Sequence, residues 1–134
     1  MKTILKSMPA LLAILLLTGC NSDDDNNSQH SIVGSWRLTG IHEYSLDTFI
    51  PVEECYFERT TFEANGNALT LTEDCDDLPS AYYFMWEKAE GNTYNFIHEG
   101  DMIIPEEVNF QGSDKIIITF GDDSAKEYQK ILFE

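Results

Sequence analysis

The sequence predicts one all-β domain over residues 31–134, an antiparallel barrel or sandwich of about eight strands. Three observations lead there. Turn signals rich in Gly, Asn and Asp recur at roughly the 8–12-residue spacing of all-β domains. Between them, apolar side chains fall at every second position, the period of a strand with one face on a core. No segment sustains the 3.6-residue period of a helix.

The elements follow in chain order. Met1 to Lys6 carries two lysines, and an apolar run from Ala10 to Leu17 follows. A positive segment followed by a short apolar one is the layout of a secretory signal peptide, and the run falls short of the ~20 residues that span a bilayer. Leu17-Thr18-Gly19-Cys20 closes the segment and resembles the lipobox of bacterial lipoproteins. The resemblance implies cleavage after residue 19, with Cys20 as the first mature residue bearing diacylglycerol on its sulfur and usually an acylated amine. The expected address is the outer membrane, reached through the lipid anchor.

Residues 20–30 then form a tether, with no apolar side chain from Asn21 to His30. Within it, Ser22-Asp23-Asp24-Asp25 resembles the acidic export signal of surface-exposed Bacteroidota lipoproteins, which implies a position facing the cell exterior. A calcium loop is a poorer reading of the same acidic run, which lacks the glycine and distal glutamate of a helix-loop-helix site.

Cleavage would leave 115 of the 134 residues. Lys2 and Lys6 leave with the signal, so six basic side chains face 24 acidic ones, a formal charge of −18. Such a chain repels nucleic acid and anionic lipid, so nucleic-acid binding is excluded and attachment falls to the acyl chains. Cys55 and Cys75 remain in an oxidising compartment, and a disulfide is the expected state. Metal or redox chemistry would use closer CxxC spacing.

The first strand runs from Trp36 to Tyr44 and the second from Cys55 to Phe62. Asn65-Gly66 is a hairpin signal, because both residues tolerate positive φ. Asn67 to Glu73 returns, with Leu69 and Leu71 on one face. A two-residue turn would pair Phe62 with Leu69 and Glu58 with Glu73. It would set Cys75 opposite Tyr56, leaving Cys55 one residue out of step, so a bulge or a cysteine beyond the ladder is expected.

Ala81 to Lys88 places Tyr82, Phe84 and Trp86 on one face, and Thr93 to His98 does the same with Tyr94, Phe96 and His98. Met102 to Phe110 aligns Met102, Ile104, Val108 and Phe110, a pattern that Glu106 breaks beside Pro105. A proline-associated bulge that turns Glu106 outward is the expectation. Lys115 to Phe120 and Lys126 to Phe133 complete the set.

Gly34-Ser35-Trp36 opens the first strand, and Gly34 and Trp36 there resemble the Gly-x-Trp opening of lipocalins. Nearly all of residues 32–133 is similar to lipocalin-like domains of small Bacteroidota lipoproteins. Those share a cysteine before the second strand, an aromatic-turn-Gly hairpin like Phe62 to Gly66, a second cysteine after it, and a closing strand with a tyrosine, here Tyr128. The resemblance implies an eight-stranded lipocalin-like barrel. Typical lipocalins pack a late arginine over the motif tryptophan. Here the two arginines are Arg37 and Arg59, so Lys126 or Lys130 would have to substitute, or the contact is absent.

Catalytic chemistry finds no foothold. His30, His42 and His98 show no HxH or HxxxH spacing, so no metal and no cofactor is expected. The adjacent carboxylates, such as Glu53-Glu54 and Glu106-Glu107, point to opposite faces of a strand and cannot couple as acid and base. No serine elbow or phosphate loop is present. The expectation is a monomeric, non-catalytic module. Two functions fit: binding of a small apolar or amphipathic ligand in a pocket walled by Tyr82, Phe84, Trp86, Tyr94 and Phe96, or, with a filled barrel, an acidic interaction surface for a basic protein such as a host lysozyme.

Overall fold

The structure, a computed structural model, describes residues 31–43 and 49–132. Cys20 and the tether residues Ser22 to Asp25 lie outside these, as do Tyr44 and Phe133. The described chain forms nine strands: β1 Gly34–His42, β2 Ile50–Pro51, β3 Phe57–Phe62, β4 Asn67–Glu73, β5 Ser80–Lys88, β6 Thr93–His98, β7 Met102–Phe110, β8 Lys115–Thr119 and β9 Ala125–Lys130. Consecutive strands from β3 to β9 pair antiparallel, and β9 returns to β1, so eight strands close into a barrel. Closure removes most of the exposed edge that an open sheet would leave.

β1 serves three partners. Its first half pairs with β3, its second half with β2 on that same side, and β9 runs along the other side. The β1–β9 register shifts between Leu38 and Gly40, leaving Thr39 as the extra residue of a bulge. Bulges bend and twist a strand, which lets β1 turn the corner that closes the barrel. Gly40 beside it leaves room for Phe49, because a Cβ there would lie 3.2 Å from the Cβ of Phe49.

The first hairpin differs from the sequence expectation. Glu63 N donates to Asn67 O and Gly66 N to Glu63 O, so the loop holds three residues, Ala64, Asn65 and Gly66. Gly66 sits at φ +93°, the left-handed position that ends such a loop. The extra loop residue shifts the register by one: Phe62 pairs with Ala68 and Phe57 with Glu73. Continued by two residues, this register sets Cys55 across from Cys75, and the two form a disulfide with Cα atoms 4.9 Å apart. The turn therefore supplies the shift that a two-residue loop would have demanded of a bulge. Closing a loop of 20 residues contributes roughly 3 kcal/mol in the chain-entropy model.

The barrel has two unlike ends. At one, the chain enters through Ile32, buried beneath Trp36, whose Nε1 donates to the Ile32 carbonyl at 2.7 Å. Lys130 Nζ lies 5.3 Å from the Trp36 ring centroid, so Lys130 takes the place over the motif tryptophan. Trp36, Leu38, Phe62, Val108 and Ile116 expose at most 2% of their surface. Almost none of it touches water, from outside or across an internal gap, so the barrel is solid there. The other end carries the disulfide, the β6–β7 and β8–β9 turns, and the polar side chains described next.

Candidate functional site

Strand alternation sends Phe62, Thr60 and Glu58 of β3 into the barrel. Glu58 is 5% exposed. A carboxylate there is tolerable only with donors around it. Lys126 Nζ from β9 reaches both oxygens, at 3.0 and 3.2 Å. Tyr128 Oη donates at 2.6 Å and Tyr56 Oη at 2.9 Å. Burial, with the Glu58 carboxylate beside it, holds the Tyr128 phenol well above its ordinary pKa and pushes Tyr56 up to about 12. Thr60 and Thr70 share a hydrogen bond one rung below. This cluster ties β3, β4 and β9 together and leaves its charge neutralised. It is built as a strut, with the Glu58 carboxylate held by the Lys126 ammonium and two phenols.

Glu106 on β7 is the opposite case. The β6–β7 register runs from His98–Met102 to Thr93–Glu107 without a shift, so the expected bulge is absent and Glu106 stays inward, 7% exposed. Pro105 breaks no ladder, because β8 joins β7 only from Glu107 onward and Pro105 has no strand partner on that side. The Glu106 Oε2 atom is buried with no hydrogen-bond partner among the described residues. Burial, and then the charge of Asp122, push its pKa up to about 6.

The predicted pocket aromatics separate. Tyr94 and Phe96 are core, and Phe84 and Trp86 pack against it. Phe62 meets Phe84 and Trp86 edge-on at 6.0 Å and Phe96 at 5.7 Å. The Trp86 Nε1 is committed to the Glu63 carbonyl. Tyr82 stands half exposed, its hydroxyl 2.6 Å from His98 Nδ1, and both rings stack on Phe84. These rings fill the barrel between β3 and β6.

A hollow of about 840 Å³ opens on the outer side of the same wall, and two of the predicted pocket aromatics, Tyr82 and Phe84, belong to its lining. The ladder registers identify two complete cross-strand rows in its lining. One is Thr61, Leu69 and Tyr83; the other is Glu63, Asn67, Met85 and Ile97. All have the parity opposite to Phe62, Ala68, Phe84 and Phe96, so they point outward. Ala68 and Phe84 lie between the rows in register, and Tyr82, His98, Glu99, Gly100 and Asp101 complete the lining. Tyr83 is 72% exposed and Met85 51%, and the second row continues to the exposed Ile103. Glu63, Glu99 and Asp101 rim the hollow, and no lysine or arginine lines it.

Both the strut and this outer face escaped the sequence reading. Each had a signal: Phe62 inward forces Glu58 inward, and Tyr82-Tyr83-Phe84-Met85-Trp86 is apolar on both parities, as a strand covered on both faces would be.

Glu53 Oε2 lies 3.6 Å from Cys75 Sγ, within ligand distance for a shared metal ion, but both sulfurs of that cluster are joined in the disulfide. No helix among the described residues is long and apolar enough to cross a membrane. No family model, no curated protein and no solved structure matches the chain.

Proposed function

We propose that the chain is a lipid-anchored, non-catalytic binding module of a bacterial envelope that engages its partner through the outer face of the barrel. The observation that carries this reading is the contrast between the two faces of the β4–β6 wall. Its inner face is packed with rings, and its outer face bears an open apolar hollow with exposed Tyr83 and Met85. Contiguous exposed apolar surface with a polar rim is the usual mark of an interaction site. The lipobox at Leu17 to Cys20 supplies the anchor, and Asp23 to Asp25 the direction of display.

The test begins with address. Cys20→Ala should abolish incorporation of labelled palmitate and move the protein to soluble fractions. Replacing Asp23, Asp24 and Asp25 by Ala should keep the label but reduce protease shaving on intact cells. Labelled lipid on the Cys20→Ala protein would sink the anchor.

A small apolar or amphipathic ligand is the second reading, and the Tyr82–His98 pair at the open end of the barrel favours it. Binding of a neutral apolar dye unaffected by Tyr83→Ser with Met85→Ser would support it over the outer face.

A further inference from the structure

The wall that carries the hollow is electrically one-sided. From Glu63 to Glu107 the sequence holds eleven acidic side chains and a single basic one, Lys88. The remaining described cations sit on other strands: Arg37 on β1, Arg59 on β3, Lys115 on β8, and Lys126 and Lys130 on β9. Several are already engaged there: Arg37 over the Phe57 ring, Lys115 with Glu127, Lys126 with Glu58 and Lys130 over Trp36. Nothing cationic is available to neutralise the rim of the hollow from within its own lining.

We infer that the outer hollow on β4–β6 docks a basic polypeptide segment, whose apolar side chains contact Tyr83, Met85 and Ile97 while its lysines or arginines meet Glu63, Glu99 and Asp101. The inference rests on outer-face binding as the function of the module. Charge complementarity sets the sign of the partner. An anionic lipid surface would be repelled by the rim. The hollow is open, whereas sites for small ligands enclose most of the ligand surface, so a chain lying across the face fits better than an enclosed small cation. Tyrosine and methionine are suited to such a surface, the first as a rigid amphipathic contact and the second as an adaptable one.

The experiment uses the mature, lipidated chain in nanodiscs of zwitterionic phosphatidylcholine. The probes are a short alternating lysine–leucine peptide, a glutamate–leucine peptide of equal length, and hexylamine, each titrated at low and at physiological salt against empty discs as control. The lysine–leucine peptide should bind saturably and weaken with salt, and the glutamate–leucine peptide should not bind. Tyr83→Ser with Met85→Ser should lower affinity by roughly tenfold or more, the usual weight of central apolar contacts. Glu63→Gln, Glu99→Gln and Asp101→Asn together should lower it less and remove most of the salt dependence. All five positions are exposed, so circular dichroism should match the parent and a lost affinity would report the surface. Equal binding of the acidic peptide, no saturable binding of the basic one, or affinity unchanged in either variant overturns the inference. Hexylamine binding without peptide binding would assign the hollow to a small cation instead. The Cys20 labelling result is independent of all these outcomes, so a failed docking site and a failed anchor are distinguishable.

Discussion

Glu58 and Glu106 are both carboxylates pointed into the barrel, and their surroundings could hardly differ more. On the β3–β9 side, Glu58 meets an ammonium and two phenols at 2.6–3.2 Å. On the β7 side, Glu106 has a buried oxygen without a partner. Equal burial therefore leads to opposite consequences. A hydrogen-bonded ion pair fixes β3 and β9 relative to one another, whereas an unpaired carboxyl resists its own ionisation. One wall of the barrel is braced, and the other carries stored electrostatic strain that depends on pH.

The largest expected effect comes from breaking the brace. Glu58→Ala would leave the Lys126 ammonium and the Tyr128 and Tyr56 hydroxyls without their acceptor. Removing one member of a buried pair typically costs roughly 3–5 kcal/mol. The lower end is expected here, because the Lys126 side chain is 31% exposed and can regain some solvent. Urea unfolding of the mature chain should show the midpoint falling with little change in slope. An unchanged midpoint would mean that the cluster is a surface network in disguise.

Glu106 should behave in reverse. Its pKa in the folded chain is about 6, above the ordinary 4.5. The native state thus holds this proton more tightly than the unfolded chain does. The resulting stabilisation is fully present below about pH 4.5 and is lost as pH rises through about 6. Glu106→Gln keeps the shape and removes the ionisation. The variant should match the parent near pH 4 and exceed it at pH 7, by something on the order of 1 kcal/mol. Parallel stability curves for parent and variant between pH 4 and 8 would show that Glu106 finds a partner in solution.

The contrast also marks how far the sequence could be read. The eight barrel strands and the disulfide pair were legible, because alternation, Gly-containing turns and cysteine count are local signals; the short β2 and the end of β9 at Lys130 were not. The hairpin register was not, because Asn65-Gly66 fits a two-residue and a three-residue loop equally well. One more loop residue, Ala64, moves every cross-strand pair by one and brings Cys55 opposite Cys75. Glu106 was misplaced for a related reason. Pro105 reads as a bulge only if both neighbouring strands need its N–H, and β8 stops short of it. The Lys126–Glu58 pair joins residues 68 apart, which no local pattern encodes. The outer hollow was hidden because the same alternation that reveals a core assigns the other parity to solvent by default.

The smallest effect isolates what sets Glu106 apart. Two causes raise its pKa, burial first and the charge of Asp122 second. Asp122 sits in the β8–β9 turn, where its Oδ1 accepts from the Ser124 amide and hydroxyl. Asn carries the same oxygen, so Asp122→Asn should preserve the turn, including Asp123 at φ +66°, while deleting the charge. The Glu106 titration, followed by the carbon chemical shift of its carboxyl, should then move down from about 6 but stop above the ordinary 4.5, because the burial remains. A midpoint that does not move would make desolvation the whole cause. A midpoint that falls all the way to 4.5 would mean that water reaches Glu106 freely, and the difference between the two walls of the barrel would then be one of charge alone.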